Sequence, residues 1–239
     1  MSAFDRDKIL QFLRLPHGQL LCVLLITDFS FFALHICHSL AGIPPDGAVA
    51  ISRPRGFPET VQYVKFFWAA LLFLLIWTRH HRLTYILFAG VFLYLLVDDA
   101  CEIHENIGIW FEGKYPDLVF LGTTPEHIGE ALALMGCGSV VLIALAIGYL
   151  RAPVSERPLL KPCLWMLGIF AFFVFVVDTL HAPFYGDKWY VDRMFQFVEE
   201  GGEMISMSFI LAYVLELSTK SSPPTQQCET SRTNAQVQQ

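Results

Sequence analysis

The stretch LTYILFAGVFLYLLVDDACEIHENIG, residues 83–108, decides how this chain is read. From Leu83 to Val97 it carries no charge and is long enough to begin crossing a membrane. Then Asp98, Asp99, Glu102, His104 and Glu105 follow in quick succession. A hydrocarbon core of roughly 30 Å calls for about 20 apolar residues per helix. Ionisable groups at the end of such a run are expensive unless they face a partner or water. The reading therefore has two parts: a bundle in lipid, and a polar site at one of its ends.

Composition supports the first part. Of 239 residues, 54% are hydrophobic, 14% aromatic and only 16% charged, too apolar for an ordinary soluble domain. Apolar runs fall at about 19–41, 60–78, 82–105, 126–150, 162–182 and 194–217. They predict an all-α polytopic membrane protein with six transmembrane helices. These runs lack the alternation of barrel strands. The first run contains Asp28 and lacks a small-residue cleavage site before GIPPDGAV, so it reads as a retained span. Residues 1–18 are expected to form an N-terminal segment, 19–217 the transmembrane domain, and 218–239, rich in Ser, Thr, Gln and Pro, a disordered tail. The six cysteines form no C-x-x-C pair and read as small buried hydrophobes. A net charge of −6 gives no reason to expect a nucleic-acid partner.

Six spans put both termini on one side. That side receives Arg79, Arg82, Arg151, Arg157 and Lys161 from the loops, together with Arg6, Lys8, Arg14, Lys220 and Arg232, which is most of the 16 basic residues. The positive-inside rule then puts both termini in the cytoplasm, and the plasma (inner) membrane is the expected location. Acids run the other way: among 22, only Asp5, Asp7, Glu156, Glu216 and Glu229 are assigned to the cytoplasm.

An internal repeat, 82–150 against 162–217, locates the concentration of acids. EHIGEALAL from Glu126 aligns with EEGGEMISM from Glu199, and VDDACE aligns with VVDTLH. FPETVQYVKFF, with Pro58 and Glu59, suggests a weaker third copy of the hairpin, with His35 and His38 near its outer end. Each repeat helix offers an i,i+3 pair: Asp99/Glu102, His127/Glu130, Asp178/His181 and Glu200/Glu203. Residues three apart share a helix face. Acids that begin a helix, such as Glu126, Glu199 and Glu105, are also favourable caps. Asp98, Asp99, Glu102 and Asp178 instead lie at C-terminal helix ends, where the macrodipole disfavours anions. Like charges so crowded require protons or cations between them.

Oxygen-rich ligation with a few imidazoles suits one or two ions of Zn, Fe or Mn. The expected ligands are Asp99, Glu102, His104, Glu105, His127, Glu130, Asp178, His181, Glu200 and Glu203. Asp28, Asp98, Glu126 and Glu199 are candidates for a proton relay. The tally is similar in composition to that of ferritin-like di-metal carboxylate bundles, although the paired Glu-x-x-His of those proteins is absent. Gly201 and Gly202 are expected to permit close helix packing, and Gly202 also to admit a ligand. The expected function is a metal-dependent membrane enzyme acting on a lipid or other membrane-partitioned substrate. The alternative is a divalent-cation or proton-coupled transporter or receptor.

Overall fold

A computed structural model describes residues 3–120, 122–182 and 189–220. These residues are helical, joined by short turns. The helices are α1 (Ala3–Leu13), α2 (Pro16–Ala41), α3 (Phe57–His80), α4 (Leu83–Ala100), α5 (Ile103–Lys114), α6 (Pro125–Arg151), α7 (Arg157–His181) and α8 (Trp189–Lys220). Proline stands in the first turn of α2, α3, α6 and α7, where its missing N–H leaves no intrahelical bond unmade. Gly42 and His81 end α2 and α3 in the left-handed conformation, at φ 65° and 50°.

Five helices, α2, α3, α4, α6 and α7, are long and apolar enough to cross a membrane. Between 17% and 39% of each span is buried, so most of their surface faces outward as residues such as Val23, Ile26, Val140, Leu142 and Trp165. This is the surface of a membrane-embedded protein.

The sixth expected span is α8, which carries Asp192, Glu199, Glu200, Glu203 and Glu216 and does not meet the same standard of apolarity. The physical reason is its position. It packs against α2, α3 and α7, with Met207, Ser208, Ile210, Leu211 and Val214 fully enclosed. A helix walled by other helices has little need of an apolar outer face. It continues through Ser218 to Lys220, three residues into the tail expected to be disordered from 218; residues 221–239, including Cys228, lie outside the described residues.

The run expected at 82–105 divides in two. α4 stops at Ala100, Glu102 takes a left-handed φ of 51°, and α5 sets off from Ile103. α5 lies against α6 at a close crossing. A Cβ on Gly129 would stand 2.9 Å from the Gly108 Cα and 2.6 Å from the Phe111 Cβ, so only glycine fits.

Inside the bundle an aromatic core joins α3 and α4: Phe73 stacks on Phe92 at 5.7 Å and tilts against Phe88 at 5.2 Å. Nearer the acidic end, Lys65 Nζ donates to Asp28 Oδ1 at 2.6 Å and to the Met204 carbonyl at 3.0 Å, and Ser208 Oγ donates to Asp28 Oδ2 at 2.6 Å. With Asp28 and Lys65 only 0% and 1% exposed, this network ties α2, α3 and α8 together in the interior.

Candidate functional site

One end of the bundle gathers the start of α3, the end of α4, α5, the start of α6, the end of α7 and the first half of α8. They enclose a cavity of about 350 Å³. Nine carboxylates line it: Glu59, Asp99, Glu105, Glu126, Glu130, Asp178, Glu199, Glu200 and Glu203. His104, His127 and His181 join them, and among the described residues that line it Arg53 is the one Lys or Arg side chain. The loop between α2 and α3 covers part of the cavity through Ile51, Ser52, Arg53 and Pro54. That loop is anchored by His35, whose Nδ1 accepts from the Ile51 N–H, and by His38, whose Nδ1 lies 2.8 Å from the Pro44 carbonyl. These two histidines hold the cover in place and do not line the cavity.

Local structure aims each group. α7 carries a π-helical turn at Phe172–Val177, immediately before Asp178. The wider turn shifts the register of the last residues, and both Asp178 and His181 line the cavity. Gly202 makes room for this turn, since a Cβ there would stand 2.3 Å from the Phe173 ring. Its absent side chain therefore serves a packed aromatic, which replaces the expectation that Gly202 admits a ligand. Gly201 similarly faces the Phe32 ring.

Three of the four expected i,i+3 pairs deliver both members to the cavity: His127/Glu130, Asp178/His181 and Glu200/Glu203. The fourth does not. Because α4 has ended, Glu102 shares no helix face with Asp99; it pairs with Arg55 at 3.2 Å, at the rim between the loop and the α4–α5 turn. Asp98 points away from the acidic cavity and holds His104 Nδ1 at 3.0 Å through Oδ2. His127 Nδ1 meets Glu130 Oε2 at 2.8 Å. Both nitrogens of His181 face carboxylates, Nε2 with Asp192 at 3.0 Å and Nδ1 with Glu199 at 3.3 Å, while its ring stacks on Phe195. Asp28, enclosed by Lys65 and Ser208, does not line the cavity.

His104 and Glu105 lie on α5, beyond the end of α4. Burial works against the His104 imidazolium, but the hydrogen bond and charge of Asp98, with Asp99 and Glu105 nearby, outweigh it and push the pKa up to about 9. Burial raises that of Glu105, against the opposing pull of His104 and with further help from Glu102 and Glu130.

Glu59, Gln62, Asp192 and Gln196 were not among the expected site residues. The weak third repeat copy was the signal for Glu59, whose Oε1 accepts from Tyr63 at 2.5 Å. Among the described residues, the buried side-chain polar atoms without a hydrogen-bond partner are Gln62 Oε1, Asp98 Oδ1 and Gln196 Oε1. All three are oxygen acceptors at the cavity or beside it, the kind of atom a cation or a donor would satisfy. As the side chains stand, no group of three or more His, Cys, Asp or Glu among the described residues is placed to hold a metal ion.

Fold and site together define an all-helical, membrane-embedded protein with an acidic, histidine-bearing cavity at one end of its bundle. The chain belongs to a family described as "Domain of unknown function (DUF8692)", whose model matches residues 20–217. No curated protein and no solved structure matches it.

Proposed function

We propose that the cavity is a metal centre and that the protein is a metal-dependent membrane enzyme acting on a lipid or other membrane-partitioned substrate. One observation carries this reading: among the described residues, nine carboxylates and three imidazoles line a single cavity with one guanidinium beside them. Carboxylates at such density ionise together only with cations present, and this donor set suits one or two ions of Zn, Fe or Mn. The ligands are drawn from Asp99, His104, Glu105, His127, Glu130, Asp178, Glu200 and Glu203. Asp98 serves as the carboxylate that orients His104 through Nδ1, a common arrangement for a ligating histidine. Asp192 and Glu199 instead engage both ring nitrogens of His181, so this imidazole would bind an ion only after one of those contacts opens. Metal entry requires rotations that separate pairs such as His127–Glu130, because these side chains now satisfy one another. A bound ion would polarise a substrate oxygen or activate water, and a carboxylate outside the ligand set would take the proton.

Six spans, with α8 as the central sixth, and the two-hairpin repeat belong to the same proposal, as does the placement of both termini in the cytoplasm. Catalysis is favoured over transport by what lies inward of the site. Past Gln62 and Lys65, the buried side chains along α3 are Phe66, Ala69, Ala70, Phe73 and Ile76, and those of α8 between Ser208 and Ser218 are Ile210, Leu211, Ala212, Val214 and Leu217. Along these two stretches a permeating ion would find no buried polar side chain to replace its water. The discriminating experiment measures metal exchange and flux in proteoliposomes. An enzyme retains its ion through prolonged chelator treatment at neutral pH and conducts none; exchange within seconds together with flux would refute the enzymatic reading.

A further inference from the structure

A second cavity, of about 700 Å³, adjoins the acidic one and is apolar. α4, α6 and α7 wall it, including Val174 and Phe175 of the π-helical turn. α6 packs along α4 and α5 but barely meets α7, so the space is the wedge between α6 and α7. Two glycines shape the wedge. Gly138 of α6 and Gly168 of α7 both line it, and a Cβ built on either meets nothing within 4 Å. Glycine weakens a helix interior, and in membrane helices its usual justification is close approach of a neighbour. Gly129 and Gly202 have that justification, but Gly138 and Gly168 do not. Their absent side chains leave room for something outside the chain.

The two cavities share Asp99, His104, Leu134 and Val174. Along α6 the apolar lining runs from Leu134, at the shared end, to Tyr149. At 1.5 Å rise per residue this is about 22 Å, more than the depth of one leaflet in a hydrocarbon core of roughly 30 Å. A slot of that length, apolar along its sides and ionisable at one end, has the polarity profile of one lipid molecule.

We infer that the wedge between α6 and α7 holds the hydrocarbon chain of a membrane lipid whose polar end sits at Asp99 and His104, and that this lipid is the substrate. The inference rests on the proposed metal-dependent reading of the acidic cavity, to which it adds the seat of the hydrocarbon chain, narrowing the substrate to a lipid. Charge complementarity favours a neutral or cationic head, since the carboxylates of the rim repel an anionic one.

The test is photolabelling of the full chain in phosphatidylcholine nanodiscs with a long-chain alcohol carrying a mid-chain diazirine, read by peptide mapping. Labelling is expected to concentrate on the facing segments of α6 and α7 that line the wedge. The Gly138→Leu/Gly168→Leu double variant projects two side chains into the slot from positions where a Cβ meets nothing within 4 Å. It should lower focused labelling about tenfold or more, the loss expected when side chains occupy the ligand's space, with metal content unchanged. Should the double variant fail to insert, either single leucine variant serves with the same readout. Labelling spread evenly over outward residues such as Val23, Ile26 and Phe67, and indifferent to the leucines, would show annular lipid only and overturn the inference. A stable dimer that excludes the probe from the wedge would overturn it as well, by assigning the slot to a second copy of the chain. Focused labelling in protein that binds no metal would support the chain site while removing the enzymatic reading on which its substrate role rests.

Discussion

Removing the Lys65 ammonium should be among the most damaging single changes to this bundle. Lys65 and Asp28 meet at 2.6 Å with 1% and 0% of their side chains exposed, and Asp28 also accepts from Ser208 at 2.6 Å. Breaking a buried pair from one side leaves an uncompensated charge, at a cost of about 3–5 kcal/mol. For a chain of this size each kcal/mol moves Tm by about 2–4 °C, so Lys65→Met should lower it by roughly 6–20 °C. Asp28→Asn strands the ammonium and should cost a similar amount. The double variant removes both charges, leaves Ser208 a side-chain amide to bond, and should cost less than either single change. Thermal unfolding of the four proteins in one detergent completes the cycle. If the double variant costs the sum of the two singles, the pair is not coupled and the reasoning fails. The double variant should also retain its metal, because in this structure Asp28 ties helices together and does not line the site, whereas a relay through Asp28 would require its carboxylate for activity.

Gly129→Leu drives a side chain into Phe111 and the Gly108 backbone and should destabilise by about 1–3 kcal/mol, whereas Gly136→Ala, whose Cβ meets nothing within 4 Å, should be close to neutral in the same melt. Glu102→Gln breaks only the rim pair with Arg55, whose side chain is 68% exposed; it should cost less than about 1 kcal/mol and leave metal content intact, and a loss of metal would restore Glu102 to the ligands. In chelator-stripped protein, His104 has a folded pKa of about 9 against an ordinary 6.5. Its pairing with Asp98 is thus fully stabilising below pH 6.5 and is lost as pH rises toward 9. Equilibrium unfolding across that range should show the decline in wild type and a flatter profile in His104→Asn.

The helical class and the polar end of the bundle were legible because they rest on local signals: apolar runs of spanning length, and acids three apart on a helix. His127/Glu130 and Glu200/Glu203 reach the cavity as that spacing implies. What the sequence hid depends on backbone geometry and tertiary partners. A left-handed Glu102 ends the face that would have aimed it inward, and no glycine marks the spot. The π-helical turn before Asp178 falls in FFVFVV, which reads as ordinary spanning helix. Asp192 becomes a partner of His181 only because α7 and α8 meet there. α8 is less apolar than the five spanning helices for the opposite reason, since neighbouring helices enclose much of its second half.

Elemental analysis of the purified, detergent-solubilised chain tests the metal centre most directly. With the donors lining one cavity, wild-type protein should carry roughly one or two transition-metal ions per chain. Glu130→Gln and Asp178→Asn should each lower that content, while Glu112→Gln, on an exposed face of α5, should not. Wild-type protein with no stoichiometric metal, and with no rise in melting temperature when Zn, Mn or Fe is added, would contradict the account.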